Sequence, residues 1–135
     1  MGTHANVFVE KEDGTLTGTY CHYDGYLTGV GDALKEISHK DFTKLVRKAQ
    51  KKGGFRAIAG GVDLLEGGPP CILTSITDDM NCDVEYTYIK CLDEGVDVVI
   101  GGRRFRERDD YDGDVIVNPK SANTKKTKVK KKNKK

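Results

Sequence analysis

An α+β fold is predicted by three features of this sequence: a strand-turn-strand pattern near each end, two stretches of helical periodicity between them, and runs of paired glycines that break up the middle. Residues Asn6 to Glu10 and Thr15 to Tyr23 are rich in strand formers and flank Lys11-Glu12-Asp13-Gly14, whose Asp-Gly pair suits a tight turn. Val7 and Val9 fall on one face of the first strand and Phe8 on the other, so cover is expected on both faces. Val30, Ala33, Leu34 and Ile37 recur at three- and four-residue steps and predict a first helix after Gly29 and Gly31. The second helix is framed by a Ser38/Asp41 capping pair and a terminating Gly53-Gly54, with Phe42, Leu45, Val46 and Ala49 as its apolar stripe.

Glycine pairs at 53 and 54, 60 and 61, and 67 and 68 divide the span from Phe55 to Pro70 into short apolar pieces, which read as compact loop. Cys71 to Ile76 suits a short strand. A second hairpin is expected from Asp83 to Cys91 and Val96 to Ile100 around Leu92-Asp93-Glu94-Gly95, with Val84, Tyr86 and Tyr88 on one face. An isolated hairpin is barely stable in water. The expectation is therefore one mostly antiparallel sheet of four or five strands, formed by the N- and C-terminal hairpins, with both helices on one face. The alternative is two hairpins in separate small layers. Residues 1–117 would form a single α+β domain and 118–135 a disordered, Lys-rich tail.

Charge is unevenly placed. Nine of the 23 basic residues are lysines after Pro119, where no acid occurs, so the preceding chain holds 14 basic against 21 acidic groups. A polycation joined to an acidic body points to a polyanionic partner or to a solubilising extension. Lys40, Lys44, Arg47, Lys48 and Lys51 share a broad face of the second helix. The tail adds Lys125, Lys126, Lys128, Lys130, Lys131, Lys132, Lys134 and Lys135. Together they form the candidate nucleic-acid contacts, salt-sensitive and tolerant of sequence because lysines neutralise phosphates without reading base edges.

No stretch has the roughly 18 apolar residues of a membrane span, and the N-terminus lacks an apolar signal core, which predicts a cytosolic protein without membrane contact. Cys21, Cys71, Cys82 and Cys91 lack the spacing of a disulfide framework or a zinc knuckle, so free thiols are expected, and no metal or cofactor is assigned. Asp109, Asp110, Asp112 and Asp114 depart from the calcium-loop template and read as a solvated acidic loop beside Arg103, Arg104, Arg106 and Arg108.

The most specialised stretch is Tyr20-Cys21-His22-Tyr23-Asp24-Gly25-Tyr26. In an extended strand Tyr20, His22 and Asp24 would project together, and a carboxylate beside an imidazole fixes its tautomer, as general acid-base catalysis or phosphate binding requires. The structural alternative is an Asp-Gly turn with packed tyrosines. Candidate binding residues are Tyr20, His22, Tyr23, Asp24, Gly25, Tyr26, Gly29 and Gly31. The two glycines are included because their amides precede a helix and would hold an anion there.

With its Met1-Gly2-Thr3 opening, its acidic Asp-Gly turn and the Tyr20 to Tyr26 block followed by Gly29-Val30-Gly31, the chain resembles a widespread group of small uncharacterised bacteriophage and prophage proteins. Those usually carry Trp at the position of Tyr23 and Arg at that of His4. They also have an aromatic strand similar to Glu85-Tyr86-Thr87-Tyr88. The resemblance is sharp over residues 1–31 and faint beyond, and the lysine tail departs from it. It implies a phage origin, and a shared site around His22, Asp24, Gly25 and Tyr26, without implying a reaction.

The function expected is therefore that of a phage accessory protein of host-takeover or counter-defence type. It would act in the cytoplasm of the infected host, binding a host protein or nucleic acid and touching polyanions through its tail. The alternatives are a small nucleotide- or phosphate-binding protein or hydrolase using His22 and Asp24, with a small-molecule ligand, and a virion-associated component.

Overall fold

The structure, a computed structural model, describes residues 3–76, 84–100, 103–107 and 118–119, and of Ile100, Arg103, Asn118 and Pro119 it describes the backbone alone. The first hairpin forms as the Asp-Gly turn requires. β1 (Ala5–Glu10) and β2 (Leu16–Cys21) pair antiparallel from Glu10↔Leu16 to Ala5↔Cys21. Gly14 sits at φ +87, the left-handed conformation that glycine adopts without cost.

The predicted first helix is split in two. Residues 27–31 form a wide π turn, and α1 (Asp32–Glu36) follows for little more than one helical turn. α2 (His39–Lys52) matches its sequence signals. The Ser38 hydroxyl accepts from the Asp41 amide at 3.1 Å, and Gly53 closes the helix at φ +98 with its amide on Ala49 O.

The middle of the chain differs from the expected loop. Phe55–Ala57 is β3, parallel to β2 through Cys21↔Phe55, and Asp63–Leu64 is β4, antiparallel to β3. Cys71 to Ile76, expected as a strand, makes only an isolated bridge between Leu73 and Gly18. The second hairpin is β5 (Tyr86–Lys90) and β6 (Val96–Ile100). It continues into two strands that apolar periodicity did not reveal, β7 (Arg103–Arg106) and β8 (Asn118–Pro119).

Among the described residues one eight-stranded sheet results where four or five strands were expected, in the order β4-β3-β2-β1-β5-β6-β7-β8. The α+β class stands, but the sheet is mixed, because β1 pairs with β5 in parallel, from Ala5↔Tyr86 to Val9↔Lys90. Local patterning specifies hairpins. The alignment of two hairpins some 80 residues apart depends on the intervening helices returning the chain to its starting end. Cys82, the Asp109 to Asp114 stretch and the lysine tail after Pro119 lie outside the described residues.

Both helices cover one face. Ala5, Val7, Val9, Cys21, Tyr88 and Val98 pack there with Leu34, Phe42, Val46 and Ala49, and the Phe42 and Phe55 rings stack at 5.9 Å. On the opposite face Phe8, Leu73, Ile89 and Cys91 form a second cluster under the 71–76 segment. β1 is thus buried on both sides, as the positions of Val7, Phe8 and Val9 predicted.

Gly18 lies beneath the Phe8 ring, and a side chain there would meet the Val7 carbonyl and, at 2.6 Å, Phe8 Cδ2. Gly18→Ala should therefore lower unfolding free energy by about 1–3 kcal/mol, read as a reduced urea midpoint at unchanged slope.

Candidate functional site

The hairpin register carries past its last formal pair. Ala5 faces Cys21, and one step further brings His4 opposite His22 on the sheet face away from the helices. The two imidazoles stack at 4.9 Å with 20° between planes, and the Tyr23 ring meets His22 edge-on at 4.5 Å. Tyr20 stands 5.9 Å from His22 and 5.8 Å from His4. Hydrogen bonds pin the group. His4 Nδ1 donates to His22 O at 2.7 Å, which leaves its Nε2 as the acceptor in the neutral ring, and Tyr20 OH lies 2.9 Å from His22 Nδ1. The His4 backbone is clamped in turn, its amide on Glu85 Oε1 at 2.9 Å and its carbonyl receiving the Glu85 amide at 3.0 Å.

Beyond His22 the strand continues against β3, with the His22 amide on Phe55 O and the Tyr23 amide on Arg56 O. Phe55 packs on the helix side with its β4 partner Leu64, while Arg56, at the irregular step of β3 between Phe55 and Ala57, pairs with Asp63, which alternates from Leu64 onto the face of Tyr20 and His22. The Arg56 guanidinium is paired with Asp63 at 3.2 Å, both side chains about half exposed.

At Asp24 the chain leaves the strand. Its φ of +60 is left-handed, a conformation that Asp tolerates better than most residues, and it breaks the parity that would have aligned Asp24 with His22. The expected His22–Asp24 pair does not form. The Asp24 carboxylate instead accepts from Tyr26 OH at 3.2 Å, a bond that raises the Tyr26 pKa, with Asp24's negative charge adding to the effect. Gly25 is wedged against the first strand: a Cβ would stand 2.9 Å from Ala5 Cβ. The buried Tyr88 OH donates to Gly25 O at 2.6 Å. The amides of Gly29 and Gly31, expected to hold an anion, both point at Tyr26 O, and that of Val30 is bonded to Asp24 O. These donors stabilise the loop itself.

Tyr23 and Tyr26 are 43% and 41% exposed, so the loop displays its tyrosines where packing against the body was the alternative expectation. Cys21 points into the helix-side core, where burial pushes its thiol up to about 12, and it forms no dyad with His22. Among the described residues no group of three or more His, Cys, Asp or Glu is placed to hold a metal ion. A cavity of about 470 Å³ is lined by Thr28, Gly29, Asp32, Ala33, Lys35, Glu36, Ala59 and Gly60, and another of about 500 Å³ lies between the β1–β2 turn and α2 beside His39 and Arg47. Neither is lined by His22 or Asp24.

Lys40, Lys44, Arg47, Lys48 and Lys51 are all exposed on α2, opposite the buried Phe42, Val46 and Ala49. Among the described residues none of the five is in an ion pair. Since α2 covers the Val7 face, this stripe and the His4–His22 cluster lie on opposite sides of the sheet. His4 is the site residue that the sequence reading underused. Extending the Glu10↔Leu16 register set by the turn would have placed it against His22. No helix among the described residues is long and apolar enough to cross a membrane. No protein-family model, no curated protein and no solved structure matches this chain.

Two outcomes follow from this geometry. Gly25→Ala should destabilise the protein by about 1–3 kcal/mol and release the Tyr88 hydroxyl, seen as a lower melting temperature. In native protein at pH 8, thiol-alkylating reagents should label the half-buried Cys71 but spare Cys21 and Cys91 until denaturant is added, as peptide mapping would report.

Proposed function

We propose that this chain is an accessory protein of phage origin, of host-takeover or counter-defence type, that works in the host cytoplasm without chemistry of its own by binding a macromolecule. Nucleic acid is the partner favoured by its charge. The observation that carries the reading is the α2 stripe: five cations on one exposed helical face, opposite its apolar stripe and with no described carboxylate paired to them. Each lysine or arginine that neutralises a phosphate releases a condensed counterion, contributing about 0.9 to the slope of log affinity against log salt on duplex DNA. The nine lysines after Pro119 extend the same chemistry along the chain. The resemblance over residues 1–31 supports the phage origin.

The hydrolase alternative draws little support from the geometry. His22 is engaged with Tyr20, Asp24 with Tyr26, and the Gly29 and Gly31 amides with Tyr26 O.

A salt series with labelled duplex DNA tests the proposal. The full chain should bind with micromolar, steeply salt-dependent affinity. Replacing Lys44, Arg47 and Lys51 together by Ala should reduce the salt slope by about 2–3 without altering the melting temperature by more than a few degrees. An unchanged slope would remove the stripe from the interface, and absence of binding by the full chain would defeat the reading.

A further inference from the structure

The His4–His22 cluster lies across the sheet from the lysine stripe, so the phosphate contacts proposed for α2 leave it unexplained. Its construction is unlike that of a packing cluster. The rings of His4, Tyr20 and His22 are mutually in contact and Tyr23 meets His22 edge-on, yet all four side chains keep solvent access, Tyr23 most of all at 43%. His4, Tyr20 and His22 are also held in place before any ligand arrives, by the Tyr20 OH to His22 Nδ1 bond and the His4 Nδ1 to His22 O bond, and the His22 ring in turn backs Tyr23. A fixed, exposed π surface loses little conformational freedom on binding, and this is what makes aromatic rings effective platforms for bases. Arg56 stands on the same face one strand away, its only described partner an exposed Asp63 at 3.2 Å. An exposed pair of this kind is weak, so a phosphate can replace that carboxylate. Two further carboxylates lie close by, Glu85, which accepts from the His4 amide, and Asp24, which accepts from the Tyr26 hydroxyl.

We infer that the end of the sheet formed by His4, Tyr20, His22, Tyr23 and Arg56 binds an unpaired nucleotide, with its base stacked on the exposed Tyr23 ring, which His22 supports edge-on, and its phosphate on the Arg56 guanidinium. The inference rests on the nucleic-acid reading above and extends it: α2 holds phosphates, and this face accepts bases that are not paired. The shared chemistry has two sources, a mononucleotide or a single-stranded segment. Duplex DNA does not fit, since its bases present no free π face.

The test compares a labelled single-stranded oligothymidylate with the duplex it forms with oligodeoxyadenylate, using the full chain, Tyr23→Ala, Tyr23→Phe and the triple Ala variant of Lys44, Arg47 and Lys51. Tyr23→Ala should weaken single-strand binding roughly tenfold while leaving duplex binding unchanged, and Tyr23→Phe should match the parent, because stacking needs the ring and not the hydroxyl. Arg56→Ala should lower the single-strand salt slope by about 0.7. Displacement of the oligomer by AMP assigns the site to free nucleotides, and resistance to AMP assigns it to strands. Tyr23 is exposed, so melting temperatures of its variants should be unchanged and a binding loss cannot be a folding loss. Single-strand affinity unmoved by Tyr23→Ala, or lost equally with duplex affinity, overturns the inference. If the triple variant still loses duplex binding in that case, the α2 reading stands alone. If Tyr23→Ala acts and the triple variant does not, the stacking site stands and the stripe falls.

Discussion

The parallel pairing of β1 with β5 is the constraint on which the rest of the molecule depends. It joins two hairpins into one sheet and buries Val7, Phe8 and Val9 completely, one strand contributing to both cores. Its register also places two polar side chains where the helix side needs them. Tyr88, opposite Val7, sends its hydroxyl to Gly25 O and so fixes the loop that follows His22. Lys90, opposite Val9, is almost fully buried, and its ammonium donates to Leu34 O and Glu94 O, both at 2.8 Å, with the Glu94 carboxylate at 3.7 Å. Burial lowers the Lys90 pKa and the Glu94 charge opposes the shift, while Leu34 O at the end of α1 and Glu94 O in the β5–β6 turn satisfy the ammonium. A slip of one residue between β1 and β5 would turn both groups to the opposite face and strand them there.

Much of this was legible in the sequence where the signal is local. The Asp13-Gly14 turn fixes the first hairpin, Ser38 and Gly53 bound α2, and the alternation of Val7, Phe8 and Val9 announces a strand covered on two sides. The losses are physical rather than accidental. β3 and β4 are three and two residues long and lie between glycines, too short for any period to register. β7 reads as a charged loop because its outward residues are arginines, yet Arg104 and Arg106 both reach the fully buried Asp97 at 2.8 Å, so charge pairing replaces apolar alternation as the reason for the strand. Nothing local reveals that Asp97 would be buried. The parallel β1–β5 contact is the extreme case, since its two halves share no turn.

The candidate site shows the same division. Tyr20, His22 and Tyr23 were marked by residue type, and the strand alternation correctly put Tyr20 and His22 together. It failed at Asp24, because alternation holds only while φ stays negative and extended, and a single left-handed residue ends it. The partner of His22 came instead from across the hairpin. His4 stacks on it because the register places residues 4 and 22 side by side, a cross-strand relation that motif reading along the chain does not see.

The separation of the two surfaces bears on how one small protein would hold nucleic acid. The α2 stripe is a local run of positive charge despite the acidic balance of residues 1–119, and a Debye length of roughly 8 Å in physiological salt confines its field to nearby phosphates. Such a field attracts any phosphate backbone and discriminates poorly among them. Discrimination needs a contact that only one form of nucleic acid can satisfy, and exposed bases are what separates a single strand from a duplex. A ring platform with a single weakly held arginine would add that contact with little added charge. On this view the lysines set how strongly the chain holds a polyanion, and the four rings beside Arg56 set which polyanion it prefers.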